Sequence, residues 1–405
     1  MHIGLCSPQW PPSEAANGIV TYVSCMRDYF LSQGHAVSVI AQGRLATASG
    51  EVHRLAPAPK CSIPPSWHAR LTRRTGTWRG SLPDVGQGVA NQVIAARLVA
   101  SLDIVEIEES FGWSEIVQRG AGIPVVTRLH GPHFLKPKRQ RTARQWLSDV
   151  ERSAAEGRAI KSARALTAPS RAVMSAVCRR YRLESDPRHA VIPNPIAIAR
   201  EQDRWQPAAC EPGHILMVGR FDFWKGADTM LAAFARLLDR RPEARLTLVG
   251  PDLGMEAPNG SILSFAQYAQ THLSPAARER ITFTGTLNPE QIGQLRRRAC
   301  VTVLASRLEN FPYALLEGLA VGSPVISTDW PGSEEIIVHR ETGLLTPVGE
   351  PEPLARSLDW LIGRPETAAR YAISGLARCR QHFSVETVGN QMLQFYEAAL
   401  RTAAR

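Results

Sequence analysis

The stretch 214-HILMVGRFDFWKGADTMLAAFARLLDR-240 decides the fold. Residues 214–218 form a short apolar run closed by Gly219, the pattern of a strand buried on both faces. After the loop 220–226, Met230, Leu231, Phe234, Leu237 and Leu238 recur at helical spacing and lie on one face. Strand, loop and helix in that order are half of a parallel crossover. The unit recurs downstream, where "RLTLVG" (245–250), "RITFTG" (280–285), "CVTVLA" (300–305) and "PVIST" (324–328) alternate with helix-like segments. It also recurs upstream. "HIGLC" (2–6) precedes a helical pattern over 18–34 that stops at Gly34, and "AVSVIA" (36–41), "DIVEI" (103–107), "IPVVTRL" (123–129), "ALTAPS" (165–170) and "HAVIPN" (189–194) follow.

Two such arrays flank 193-PNPIAIAREQDRWQPAACEPG-213, which is proline-rich and without periodicity. The expected architecture is therefore α/β, two Rossmann-like, doubly wound parallel-sheet domains facing one another across a cleft. The expected boundaries are an N-terminal domain over 1–195, a linker over 196–212 and a C-terminal domain over 213–383, with a terminal helix around 384–405 that packs back on the first domain. Ligands of open α/β sheets bind at the carboxyl ends of strands, so the loops after those strands are where chemistry is expected.

The 405 residues are 44% hydrophobic and 21% charged, an ordinary globular composition. No apolar run approaches the ~20 residues of a membrane-spanning helix, and the first residues lack a basic segment followed by an apolar one, so a cytoplasmic protein is expected. The seven cysteines are scattered, without a Cys-x-x-Cys pair, and are expected as reduced core residues. The net charge of +10 is uneven: residues 1–200 hold 26 Lys and Arg against 14 Asp and Glu, and residues 201–405 hold 21 against 23. The basic excess includes 54–79, with Trp67 and Trp78, and 128–164, with Trp146. Two readings stay open: a solvated basic face, or a surface for anionic lipid or an anionic acceptor at the inner face of a membrane. Nucleic acid is not expected.

The loop 219–226 is the first candidate site. Arg220 follows the strand and Lys225 stands just before the helix, where the helix dipole disfavours a cation unless an anion is bound. A diphosphate on the Arg220 fork and the Lys225 ammonium fits; so does a pair of surface cations. Trp224 and Gly226 exclude a Walker-type loop, and no Gly-x-Gly-x-x-Gly occurs.

The second is 305-ASRLENFPYALLEGLAVGSPVIST-328, where Glu309 and Glu317 flank an apolar run. Pro312 suits the first turn of a helix, which puts Glu309 in the preceding loop and Glu317 about a turn and a half inside. Carboxylates accept, so vicinal hydroxyls of a sugar or ribose are natural partners. The alternative is structural, with Glu309 capping the helix and Glu317 paired to an arginine.

These motifs, in this order, resemble the retaining GT-B glycosyltransferases of glycosyltransferase family 4 over nearly the whole chain. The resemblance is carried by "PPSEAANGIVTYVSCMRDYFLSQGHAVSVI", "IPVVTRLHGPH", "VIPNP", "VGRFDFWKG", "RLTLVG", "ITFTG", "TGLLTPVGEPEPLARSL" and above all the Glu-x7-Glu block "SRLENFPYALLEGLAVGSPVISTDWPGSEEI". It implies a nucleoside-diphosphate sugar as donor, an unknown hydroxyl acceptor that could be lipid-linked, and no cofactor or metal. It assigns Arg220 and Lys225 to the diphosphate, Glu309 to the transferred sugar and Glu317 to the ribose. Asn310, Phe311, Pro312, Tyr313, Ala314 and Leu315 match the stretch that approaches donor sugar and phosphate. His130 matches a histidine that reaches the sugar from the N-terminal domain, although a strand-end polar residue is the plain reading of it. Gly18 matches a glycine of the first loop that lets the backbone approach a phosphate. The chain departs from the family in Asn17-Gly18 and Pro331-Gly332, where Gly-Gly is frequent. Another sugar-nucleotide enzyme of the same fold, or a non-catalytic sugar-nucleotide or glycan-binding protein, is the alternative function.

Overall fold

A computed structural model describes residues 1–12, 17–47, 51–55, 82–135, 143–257 and 259–403. The chain divides into two compact units, Met1–Pro195 with Val385–Arg405, and Ile196–Ser384.

The first unit is built on an eight-stranded sheet in the order β4-β3-β2-β1-β5-β6-β7-β8. Its strands are β1 His2–Cys6, β2 Ala36–Ala41, β3 Arg44–Ala46, β4 Val52–Arg54, β5 Ile104–Glu108, β6 Val125–Arg128, β7 Ala165–Ala168 and β8 His189–Val191. All pairings are parallel except β2–β3 and β3–β4, an antiparallel edge absent from the sequence expectation. Strand order reverses between β1 and β5, the latter leading into the turn 109–112. The C-terminal helix Val385–Ala403 belongs to this unit: Asn390 Oδ1 accepts from the Tyr29 hydroxyl at 2.7 Å, and Tyr396 donates to Glu106 at 2.9 Å.

The second unit has a six-stranded, wholly parallel sheet in the order β13-β10-β9-β14-β15-β16. These strands are β9 His214–Val218, β10 Arg245–Val249, β13 Ile281–Phe283, β14 Val301–Leu304, β15 Val325–Thr328 and β16 Leu344–Thr346; β11 Met255–Glu256 and β12 Ile262–Leu263 make a separate hairpin. Ile215, Met217, Leu246, Leu248, Val301 and Val303 share a core with Met230, Leu231, Phe234 and Leu237 of the helix Ala227–Leu238. Here the order reverses between β9 and β14.

The segment 196–212, expected as a linker, is fastened to this unit instead. Ala199 and Trp205 donate backbone hydrogen bonds to Ala320 and Val321, and the buried Trp205 indole donates to the Ala299 carbonyl at 2.8 Å. Of the six described cysteines only Cys379 is buried; the others are half-buried.

Candidate active site

In the second unit the topology brings the two candidate motifs together, because the loops after β9 and β14 leave the sheet side by side where its strand order reverses. Gly226 permits the approach. Its φ is +66°, and a Cβ there would lie 1.8 Å from the Ala305 carbonyl oxygen. Arg307 then ties one loop to the other. Its backbone amide donates to the Trp224 carbonyl at 2.8 Å, its guanidinium reaches the Phe223 carbonyl at 2.6 Å and both Asp228 oxygens at 2.7 and 2.8 Å, and it stacks 3.8 Å over the Phe223 ring.

On this platform Lys225 donates to Glu309 Oε1, which also accepts from the Ser306 hydroxyl at 2.7 Å. Asp222 accepts from the Lys225 amide at 2.7 Å and from Arg220 Nε at 2.8 Å, fixing the fork of a half-exposed arginine. Asn310 Oδ1 is buried and has no hydrogen-bond partner among the described residues. The helix Tyr313–Ala320 begins with Pro312 as its cap residue rather than in its first turn, and no side chain caps it. Ammonium, guanidinium, carboxylate and an uncapped helix start together offer a doubly charged anion cationic donors and a carbohydrate hydroxyl an acceptor.

Glu317 has the partner that the structural alternative gave it: Glu317 Oε2 accepts from Arg296 at 2.7 Å, and Arg296 also reaches the Ala314 carbonyl at 3.3 Å. Arg296 is only 3% exposed, and burial lowers its pKa despite the carboxylate beside it. A buried guanidinium needs that partner. Glu309 likewise has protein partners, in Lys225 and Ser306.

Gly18 and His130 belong to the first unit. Gly18 is exposed and is the first residue of the helix Gly18–Ser32, whose start is capped by Asn17 through a 2.9 Å bond to the Ile19 amide. His130 follows β6 and packs edge-on against Tyr22, with ring centroids 5.1 Å apart. Burial, and secondarily the charge of Arg128, hold its imidazole well below the ordinary histidine range, so the ring is neutral near neutral pH. Of the basic runs, Trp67, Trp78 and residues 56–81 lie outside the described residues, as do 136–142. Trp146 is exposed on the helix Ala143–Ser162. No described helix is long and apolar enough to cross a membrane.

Ser306, Asp222, Arg296 and Arg307 were not singled out from the sequence. Arg296 stands in a run of three arginines that reads as a solvated helix end, and nothing in the spacing marks the one that turns inward.

The fold so described is GT-B, and comparison with known proteins agrees. Residues 16–200 match the family model "Glycosyltransferase Family 4", and residues 199–377 match "Glycosyl transferases group 1". These two matches support a glycosyltransferase of the family 4 type. Sucrose-phosphate synthase from Thermosynechococcus elongatus superposes with a TM-score of 0.73 at 22% identity, covering 100% of both chains. HepE from Anabaena, solved in complex with UDP-glucose, gives 0.64 at 18% identity over 98% of this chain and 100% of that one. By sequence, the D-inositol 3-phosphate glycosyltransferase of Streptomyces avermitilis is 31% identical over 194 residues, 47% of this chain and 40% of that protein. The matched stretch thus spans less than half the length of that relative.

Proposed function

We propose that the protein is a retaining, metal-independent glycosyltransferase that moves a sugar from a nucleoside-diphosphate sugar to an acceptor hydroxyl, in the synthesis of a glycan, polysaccharide or glycolipid. The observation that carries this reading is the contact of Lys225 with Glu309, beside Arg220, at the point where the second sheet reverses its strand order. HepE binds UDP-glucose and is a neighbour in fold, which supports a nucleotide-sugar donor. In the reaction, Arg220 and Lys225 would stabilise the departing diphosphate in place of a cation. Glu309, released from Lys225 as the phosphate takes the ammonium, would accept from the sugar, and Glu317 would hold the ribose with the oxygen not given to Arg296. Transfer would occur on the face the diphosphate leaves, with the acceptor hydroxyl passing its proton to a leaving phosphate oxygen.

Thermal shift with UDP-, GDP- and ADP-sugars, followed by donor hydrolysis with the best binder, tests this reading. Binding raises the melting temperature in proportion to the logarithm of ligand over dissociation constant. One nucleotide class should stabilise the protein and be slowly hydrolysed. Binding with no turnover in any acceptor screen would point to a non-catalytic sugar-nucleotide protein, and no stabilisation by any donor overturns the assignment.

A further inference from the structure

The first unit carries two fully buried carboxylates that face backbone. Glu109 Oε2 accepts from the His130 amide at 2.8 Å, and Oε1 from the Gly131 amide at 2.8 Å. Glu156, on the helix Ala143–Ser162, accepts from the His133 amide at 2.7 Å, the Phe111 amide at 3.2 Å and Arg152 Nε at 2.8 Å. Four amides of two loops, those after β5 and β6, therefore end on two carboxylates. The loop after β5 is strained as well as fastened. Phe111 adopts φ +58°, uncommon for a residue with a side chain, and Arg152 stacks 3.8 Å over its ring. Next to it Gly112 has φ +73°, and a Cβ there would stand 2.5 Å from the Ala155 carbonyl oxygen.

Burying a carboxylate without a cation is costly, and neutral side chains could cap the same amides. What a carboxylate adds is two equivalent acceptors on one rigid plane, so that consecutive amides are held in one orientation. We infer that Glu109 is a positioning residue: by gripping the His130 and Gly131 amides together it fixes the direction in which the His130 imidazole leaves the end of β6, with Glu156 bracing the adjoining loop. This rests on the proposed function and on the role at the donor sugar that the family resemblance implies for His130.

The grip has a charge dependence. The groups around Glu109 are Glu108 at its own strand end, Glu156 and Arg152 on the helix Ala143–Ser162, His130 and Arg128 from β6 and its loop, and Tyr181 from the helix Arg171–Tyr181. Burial pushes Glu109 up to about 8, against the pull of the His130 and Gly131 amides. Once protonated, the carboxyl presents a hydroxyl to one of the amides, and one of the two bonds is lost.

The test compares the full chain with Glu109→Gln and Glu156→Gln. At pH 9, protection of the His130 and Gly131 amides against hydrogen exchange, followed by NMR, should fall at least tenfold in Glu109→Gln and stay within threefold in Glu156→Gln. With the donor found by thermal shift, Glu109→Gln should lose roughly 10- to 100-fold in kcat while donor KM moves less than twofold. The wild-type kcat should rise with pH through about 8, and the variant should lack that step. If Glu109→Gln does not fold, the wild type alone decides: the two amide proton shifts should titrate together near 8. Unchanged protection, independent titration or a wild-type kcat in Glu109→Gln overturns the assignment. A wild type that turns over no donor overturns the proposed function and the role in catalysis, while the amide measurements still settle whether Glu109 holds the turn.

Discussion

The loops at the strand ends of the two units use carboxylates in different ways. In the second, Asp222, Glu309, Glu317 and Asp228 meet the cationic side chains Arg220, Lys225, Arg296 and Arg307. In the first, Glu109 and Glu156 are buried and spend their oxygens chiefly on backbone amides. The difference teaches what each loop pair is for. Side-chain ion pairs that are partly open to solvent can be exchanged for an incoming anion, because water and ligand compensate the broken pair. Amides held by a buried carboxylate cannot be exchanged without unfolding the loop, so that arrangement preserves a shape. One unit presents charge that a ligand can take over; the other fixes geometry.

Glycines offer the harshest test of that contrast, since each loop pair contains one that a Cβ would drive into a backbone carbonyl. Gly226→Ala must relieve a 1.8 Å approach to Ala305 and a left-handed φ, which should cost at least ~3 kcal/mol and lower the melting temperature of the second unit by roughly 6 °C or more. Nucleoside diphosphate binding should fall by two orders of magnitude or more. Gly112→Ala, facing Ala155, should destabilise to a similar degree yet leave nucleoside diphosphate affinity within threefold. Calorimetry on both variants reads the difference, and equal losses of affinity would erase the division of labour.

Next in size are the cations. Lys225→Ala and Arg220→Ala each remove a charge-assisted contact worth ~1.5–3 kcal/mol, a fall of roughly 10- to 150-fold in donor turnover, with Arg220 at the lower end because it is half-exposed. The Lys225–Glu309 contact adds a condition. Because Glu309 depends on Lys225 in the absence of ligand, the double variant with Glu309→Ala should lose less than the sum of the two singles, by ~1 kcal/mol or more. Strict additivity in kcat/KM would mean that the pair does not act as a unit.

What the sequence made legible follows from the same contrast. The strands at the sheet centres were readable because they are buried on two faces and therefore mostly apolar, as in 214–218, with His214 at its start, and 301–304, with Thr302 within it. The strands β3, β4 and β16 were not read, although β8 and β13 of the same three-residue length were; β4 is exposed throughout and so carries no apolar signal. Arg220, Lys225, Glu309 and Glu317 stood out as charges at motif positions. Glu109 and Glu156 left no such mark: their partners are amides, which every residue but proline possesses and no residue name displays.

Glu317 separates two roles that a single substitution confounds. Truncating it strands the buried Arg296, a loss of ~1–2 kcal/mol once the 38% exposure of Glu317 is discounted, and any ribose contact disappears with it. The double variant Arg296→Met with Glu317→Gln removes the stranded charge. Stability should return to within ~1 kcal/mol of the wild type, while nucleoside diphosphate affinity should stay at least fivefold weaker. Recovery of affinity along with stability would assign Glu317 to Arg296 alone and end its part in ribose binding.

The last expected effect is a slope with pH. Glu109 is raised from 4.5 to about 8 by burial, so the folded state binds its proton more tightly than the unfolded chain does. Its contribution to stability is complete below about 4.5 and is lost as pH rises towards 8, because the ionised carboxylate is then paid for in desolvation. His130 runs the other way, since its lowered pKa costs stability as pH falls below the unfolded value near 6.5. The raw melting curve mixes the two, and the difference between wild type and Glu109→Gln isolates the carboxylate. That difference should shift against the wild type by roughly 8 °C or more between pH 5 and pH 9, since the loss is ~4 kcal/mol and ~1 kcal/mol corresponds to roughly 2–4 °C. The same alkaline range closes the grip on the His130 and Gly131 amides, so the protein should be least stable in this region when the turn is best ordered. A difference that is flat with pH would leave Glu109 ionised throughout and confine its effect to geometry.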